Sequence, residues 1–145
     1  ARLVYNEIVA AYKANDRKMF RHTTQRFLSL LLQQDRLLSS VPDFMVGRWI
    51  KQARSIATNA AEADHYEWNA RTQITVWGNR QAAEQGGLRE YAHKEWSGVL
   101  RDFYYPRWRM YFDALDQTFD GKPMPQSEFE ALLWAKSAKK SPGNP

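Results

Sequence analysis

Apolar side chains recur at helical spacing along nearly all of this 145-residue chain, which leaves little room for any fold but a helical one. The longest stripe covers residues 17 to 39, through Phe20, Phe27, Leu30, Leu31, Leu37 and Leu38. Gln34 and Asp35 fall away from it and are expected in solvent. Leu3, Val4, Ile8, Ala11 and Tyr12 define an earlier helix over residues 2 to 14, with Asn15 and Asp16 as break and cap. Pro42 stops the second helix and Asp43 is placed to cap a third over residues 44 to 57, whose seam is Met45, Trp49, Ala53 and Ile56. Asn59-Ala60-Ala61-Glu62 has capping-box spacing and opens a fourth, to about Trp77. Thr72 to Val76 would score as strand by propensity, but Tyr66, Asn69, Gln73 and Trp77 stay in helical phase.

Gly78 to Gly87 reads as a surface loop. Leu88 opens a long helix carrying Tyr91, Trp96, Val99, Leu100 and Phe103. Pro106 lies inside that pattern and predicts a kink near Tyr104. The helix resumes through Trp108, Tyr111, Phe112 and Leu115, and Asp120-Gly121 ends it. Ser127-Glu128-Phe129-Glu130 caps a last helix to about Lys136. The expected fold is therefore all-α: a single bundle of about six helices over residues 1–136, followed by a disordered tail, 137–145.

Composition narrows the function. Without cysteine there is no disulfide and no thiolate metal site. No apolar run reaches the roughly 20 residues that span a bilayer. The net charge is +5, but three lysines sit in the tail; the body holds 18 basic and 16 acidic residues, or +2. That is too weak a field to argue for nucleic acid. The chain begins mid-pattern with Ala, as a piece of a longer protein would.

No motif for catalysis is found: no GxSxG, no phosphate loop, and no two of His22, His65 and His93 at metal-ligand spacing. No carboxylate pair has surroundings that would set one pKa high and leave the other normal, as a self-contained glycosidase requires. Glu67 with Arg71 reads as a surface pair, and His65–Asp64 and His93–Glu90 read as ordinary helical neighbours. No metal or cofactor is expected, and no catalytic residue.

The stretch from Tyr66 to Phe112 is more informative, because rings there alternate with amide and guanidinium groups. Tyr66, Asn69, Gln73 and Trp77 share one helix face. Either the amides cap a neighbouring element, or they line a polar cleft with Trp77 at its mouth. Arg107 and Arg109 splay apart around Trp108; one is expected to stack on a ring or pair with an acid such as Asp113.

The phrases Tyr66-Glu67-Trp68-Asn69-Ala70-Arg71 to Trp77-Gly78, Glu90-Tyr91-Ala92-His93-Lys94 and Tyr104-Tyr105-Pro106-Arg107-Trp108-Arg109 resemble the C-terminal helical domain of the alpha-N-acetylglucosaminidases, glycoside hydrolase family 89. The likeness covers about Pro42 to Leu115. It implies an accessory domain of a retaining enzyme that removes terminal α-linked N-acetylglucosamine from glycans. By the same resemblance the catalytic carboxylates belong to an upstream (β/α) barrel, and this domain forms one wall of the substrate cleft. The parent would be secreted, periplasmic or lysosomal. Trp77 resembles a cleft tryptophan, Tyr91 a cleft tyrosine, and Leu88 an apolar contact beside it. With Asn69 and Gln73 these are the candidate substrate-binding residues. The chain departs from the family pattern at His93, where Asn is usual, and in a longer loop between Trp77 and Leu88. Two other readings compete: a basic, aromatic-rich module binding nucleic acid or an anionic polysaccharide, and a structural protein-interaction domain.

Overall fold

The computed structural model describes residues 2–77 and 94–139. Six α-helices make up most of it: α1 (Arg2–Lys13), α2 (Arg17–Leu38), α3 (Val46–Ser55), α4 (Ala60–Ile74), α5 (Tyr105–Thr118) and α6 (Gln126–Lys139). A 3-10 turn, Pro42–Phe44, precedes α3, and a π-helical turn, Leu100–Tyr104, leads into α5. No strand occurs among the described residues; one isolated parallel bridge joins Met45 to Ser97. The all-α expectation is met.

Two helical hairpins carry the architecture. α1 packs on α2, and α2 packs on α5 and the π turn; α3 packs on α4. The core lies in the first group, where Phe20 and Ile8 are the most fully enclosed side chains. Phe27 meets Trp108 at 4.9 Å and Phe112 at 5.5 Å between ring centroids, and Phe20 meets Phe112 edge-on at 6.4 Å. Such ring pairs add about 0.5–1.5 kcal/mol each to what burial alone contributes. The stripe on α2 is narrower than its periodicity suggests: Phe20, Phe27 and Leu31 are buried, whereas Leu37 is 72% exposed. Leu3 and Ile56 also face outward.

Several caps form where the sequence places them. Asp16 accepts from the Met19 N–H at 2.9 Å, after Asn15 closes α1 in the left-handed region. Asn59 accepts from the Glu62 N–H at 3.0 Å, and Glu62 reaches back to the Thr58 N–H at 2.8 Å. Gly121, also left-handed, follows α5. Asp43 does not cap α3: its carboxylate pairs with Arg48, and α3 begins without a side-chain cap. The last helix starts at Gln126, so Ser127 lies inside it rather than at its cap.

Two expectations fail here, for one reason. Asp35 is not solvated; it is 4% exposed. Its Oδ1 accepts from the backbone N–H of Gly98 at 2.6 Å and of Arg101 at 3.1 Å, and its Oδ2 accepts from the Ser97 hydroxyl at 3.4 Å. It is the N-terminal cap of the π turn, delivered from another helix. Consequently the expected long helix does not run through Trp96; its start at Leu88 lies outside the described residues. Lys94 to Trp96 are not helical, Ser97 pairs with the strand-like backbone around Met45, and Gly98 turns the chain at φ 89. A Cβ at Gly98 would strike the Val46 side chain, so close approach as well as conformation requires glycine there. The bend expected near Tyr104 takes the form of π-helical winding. The Tyr105 N–H reaches back to the Leu100 carbonyl, one residue before Pro106, which has no N–H to give.

A four-membered ion cluster ties the start of α2 to the end of α5. Asp116 accepts from Arg21 at 2.7 Å and Arg17 at 2.9 Å, and Arg17 also holds Asp120 at 2.6 Å. Hydrogen bonds from Arg21 and then Arg17 hold the Asp116 carboxyl well below the usual carboxylate range.

Two outcomes are expected. Asp35→Ala leaves the buried Gly98 N–H and the partly buried Arg101 N–H without an acceptor and lowers unfolding free energy by roughly 2–3 kcal/mol in urea denaturation. Asp35→Asn keeps one acceptor oxygen and costs distinctly less; equal losses would assign the effect to charge rather than to capping. The second concerns pH. A carboxylate whose folded pKa is depressed contributes stability above its unfolded pKa near 4, lost as pH falls through the folded value. Thermal unfolding followed from pH 6 down to about pH 2 should therefore lose less stability in Asp116→Asn than in the unaltered chain.

Candidate functional site

α4 and the turn after it present the polar–aromatic row. Ala70, Thr72 and Ile74 are buried, which turns Asn69 and Gln73 outward and leaves Tyr66 half-buried. Among the described residues neither amide caps a buried element, and both are exposed. The helix ends at Ile74, three residues before the expected limit. The Thr72 carbonyl then accepts from both Thr75 N–H at 3.3 Å and Trp77 N–H at 2.8 Å. That tight turn puts Trp77 in the left-handed region, φ 66, with the residue 44% exposed. A residue bearing a Cβ pays about 1–2 kcal/mol for this conformation. Non-glycine residues held in this region are enriched at functional sites and switch regions.

The scaffold under this row is rigid. Arg54 of α3 donates to Asp64 at 2.8 Å and Glu67 at 2.7 Å, and Arg71 adds a second bond to Glu67 at 2.7 Å. Glu67 is not a surface residue: its side chain is 12% exposed and bridges the two helices. Burial pushes its pKa up, but the bonds from Arg71 and Arg54 outweigh that and hold it below the ordinary value. The Trp49 indole N–H donates to the Ala70 carbonyl at 2.9 Å and fixes the same hairpin from inside.

Of the candidate binding residues, Asn69 and Gln73 are exposed on α4, and Trp77 is exposed in the turn that follows it. Leu88 and Tyr91 lie outside the described residues, as do His93 and the loop Gly78 to Gly87. His65 stacks on Trp68 at 6.0 Å, while Asp64, its possible acid–base partner, binds Arg54. Arg107 stacks over Phe103 at 4.9 Å, and Arg109 lies 3.8 Å from Asp113. Among the described residues no cluster could hold a metal ion, and no helix is long and apolar enough to cross a membrane. Arg17, Arg21, Arg26, Arg48, Arg54 and Arg71 each pair with a carboxylate of the chain, so these cations do not form a stripe for a polyanion.

One further feature was not foreseen. A shallow cleft of about 150 Å³ opens beside α3, with Trp49 and Trp96 in its wall. Their rings meet edge-on at 6.1 Å. Trp49 reads from sequence as part of a helix seam and Trp96 as part of another helix. The Met45–Ser97 bridge brings them together.

Comparison with known proteins gives this face a context. Residues 1–140 match the family model described as the alpha-N-acetylglucosaminidase (NAGLU) C-terminal domain. The human alpha-N-acetylglucosaminidase is 36% identical over 130 residues, covering 88% of this chain and 17% of the human protein. A family 89 glycoside hydrolase from Clostridium perfringens, solved with PUGNAc, superposes with a TM-score of 0.86 at 32% identity, over 99% of this chain and 16% of that one. A second structure of that enzyme, with the same similarity, holds its substrate GlcNAc-α-1,4-galactose. The class is therefore a helical domain carried by much larger chains, since this chain spans about a sixth of each relative. The chain belongs to the alpha-N-acetylglucosaminidase C-terminal domain family.

The strained turn has a measurable consequence. Trp77→Gly relieves the left-handed backbone while giving up a half-exposed indole. Unfolding free energy is expected to stay within about 1 kcal/mol of the unaltered chain in urea denaturation. A larger loss would make Trp77 a packing residue.

Proposed function

We propose that this chain is the accessory helical domain of a retaining glycoside hydrolase that removes terminal α-linked N-acetylglucosamine, and that its α4 face forms one wall of the sugar cleft. The observation that carries the reading is Trp77: half-exposed, fixed in a left-handed turn, and flanked on the same hairpin by exposed Asn69 and Gln73. Identity of 36% to the human enzyme and 32% to the clostridial enzyme supports it. So does the substrate described for the clostridial protein, which ends in the same sugar.

The chemistry divides between two parts of the parent. The carboxylates that break the glycosidic bond lie on the barrel of the remaining chain. This domain holds the sugar against them. An indole offers an apolar face to the C–H side of a pyranose, and amides offer donors and acceptors to its hydroxyl and acetamido groups. Leu88 and Tyr91 complete the wall. Positioning of this kind is worth much in rate, since a displacement of about 1 Å costs roughly 100-fold.

Two measurements test this. The 145-residue chain alone should leave a chromogenic α-N-acetylglucosaminide intact, which the full-length enzyme cleaves. In the full-length enzyme Trp77→Ala should lower kcat/KM by about 10- to 100-fold without lowering Tm. Unchanged kinetics would remove Trp77 from the cleft.

A further inference from the structure

We propose that the cleft beside α3 is itself a binding pocket, for a single neutral pyranose bearing a vicinal diol. It shares no lining residue with the Trp77 face. It is small, about 150 Å³, and open to solvent on one side, the scale of a single ring rather than an extended glycan.

The wall has the required chemistry. Trp49 spends its indole N–H on the Ala70 carbonyl, so what it offers a ligand is ring surface alone. Trp96 stands at 68° to it and the two indoles form an apolar corner. Lys94 lies over the Trp96 ring at 5.9 Å. The polar part of the lining is Asp43, Arg48 and Gln52. Asp43 and Arg48 are bonded to each other at 2.5 Å, and both remain exposed, with 78% and 54% of their side chains in solvent. A guanidinium beside a carboxylate offers a donor and an acceptor side by side. A vicinal diol presents the complementary pair. The Asp43–Arg48 pair carries no net charge, and Lys94 lies over the Trp96 ring, so the polar part of the lining itself favours a neutral ligand over an anion.

The pocket is also built rather than incidental. Its two aromatic sides come from segments joined by the Met45–Ser97 bridge, whose Val46 N–H donates to the Ser97 carbonyl at 3.1 Å and whose Ser97 N–H donates to the Phe44 carbonyl at 2.8 Å. The Asp35 cap fixes the second segment. Preorganisation of this kind limits the entropy lost when a small ligand binds.

The test follows the indole N–H resonances of the ¹⁵N-labelled chain during titration with methyl pyranosides of N-acetylglucosamine, galactose and glucose. The Trp49 and Trp96 signals are expected to shift saturably with at least one of them, at a Kd of about 1–10 mM. Gln52→Ala and Arg48→Ala, both solvent-exposed changes that leave the fold intact, should each weaken that Kd by at least about fivefold. Cyclohexanol, a ring of the same size without a diol, should not compete. Absence of any shift at about 50 mM, equal titration of the variants, or equal binding of cyclohexanol would overturn the proposal. Trp77→Ala should leave this titration unchanged, so the pocket and the cleft wall stand or fall separately.

Discussion

The carboxylate of Asp35 is the interaction on which the geometry of this domain turns. It is 4% exposed and has no apolar contribution to make, yet it sits where three helices' worth of backbone must be reconciled. By accepting from Gly98, Arg101 and Ser97 it supplies the partners that the first turn of a helix lacks. That allows the chain to enter the π turn and α5 directly from an extended segment. The segment is thereby free to pair with Met45, which brings the α3–α4 hairpin onto the α1–α2–α5 core. A buried acid is normally a liability. Here it is matched by as many donors as its position demands.

The proposed cleft face is supported by that arrangement. α4 carries the exposed row, but α4 is held by α3 through Arg54, Glu67 and the Trp49 indole, and α3 is held by the bridge. The result is a chain of short contacts from a buried carboxylate to an exposed tryptophan. Support of this sort is what the proposed role of the face would require. The ion cluster around Asp116 serves the opposite end of the bundle, closing α2 against α5.

Family membership rests on the length of the chain rather than on the aromatic phrases alone. The match extends over residues 1–140, beyond the stretch Pro42 to Leu115 in which the aromatic phrases resemble the family. The added length is the α1–α2 hairpin and α6, whose sequence is ordinary amphipathic helix and carries little distinctive signal.

Among the described residues, helix order and most caps were determined by sequence alone, because periodicity and capping are local: Asp16, Asn59 and Gly121 act within a few residues of where they stand. The row Tyr66, Asn69, Gln73 was equally readable from helical phase. The tertiary structure decided the rest. Periodicity marks Asp35 as solvated, since it cannot register unpaired N–H groups arriving from residues 98 to 101. It extends α4 to Trp77, since it cannot see the reversal that lifts the indole out of the helix. It separates Trp49 from Trp96, since their meeting depends on one bridge between distant segments. Each of these is a contact whose free energy comes from groups far apart in the chain, and no local pattern carries information about that.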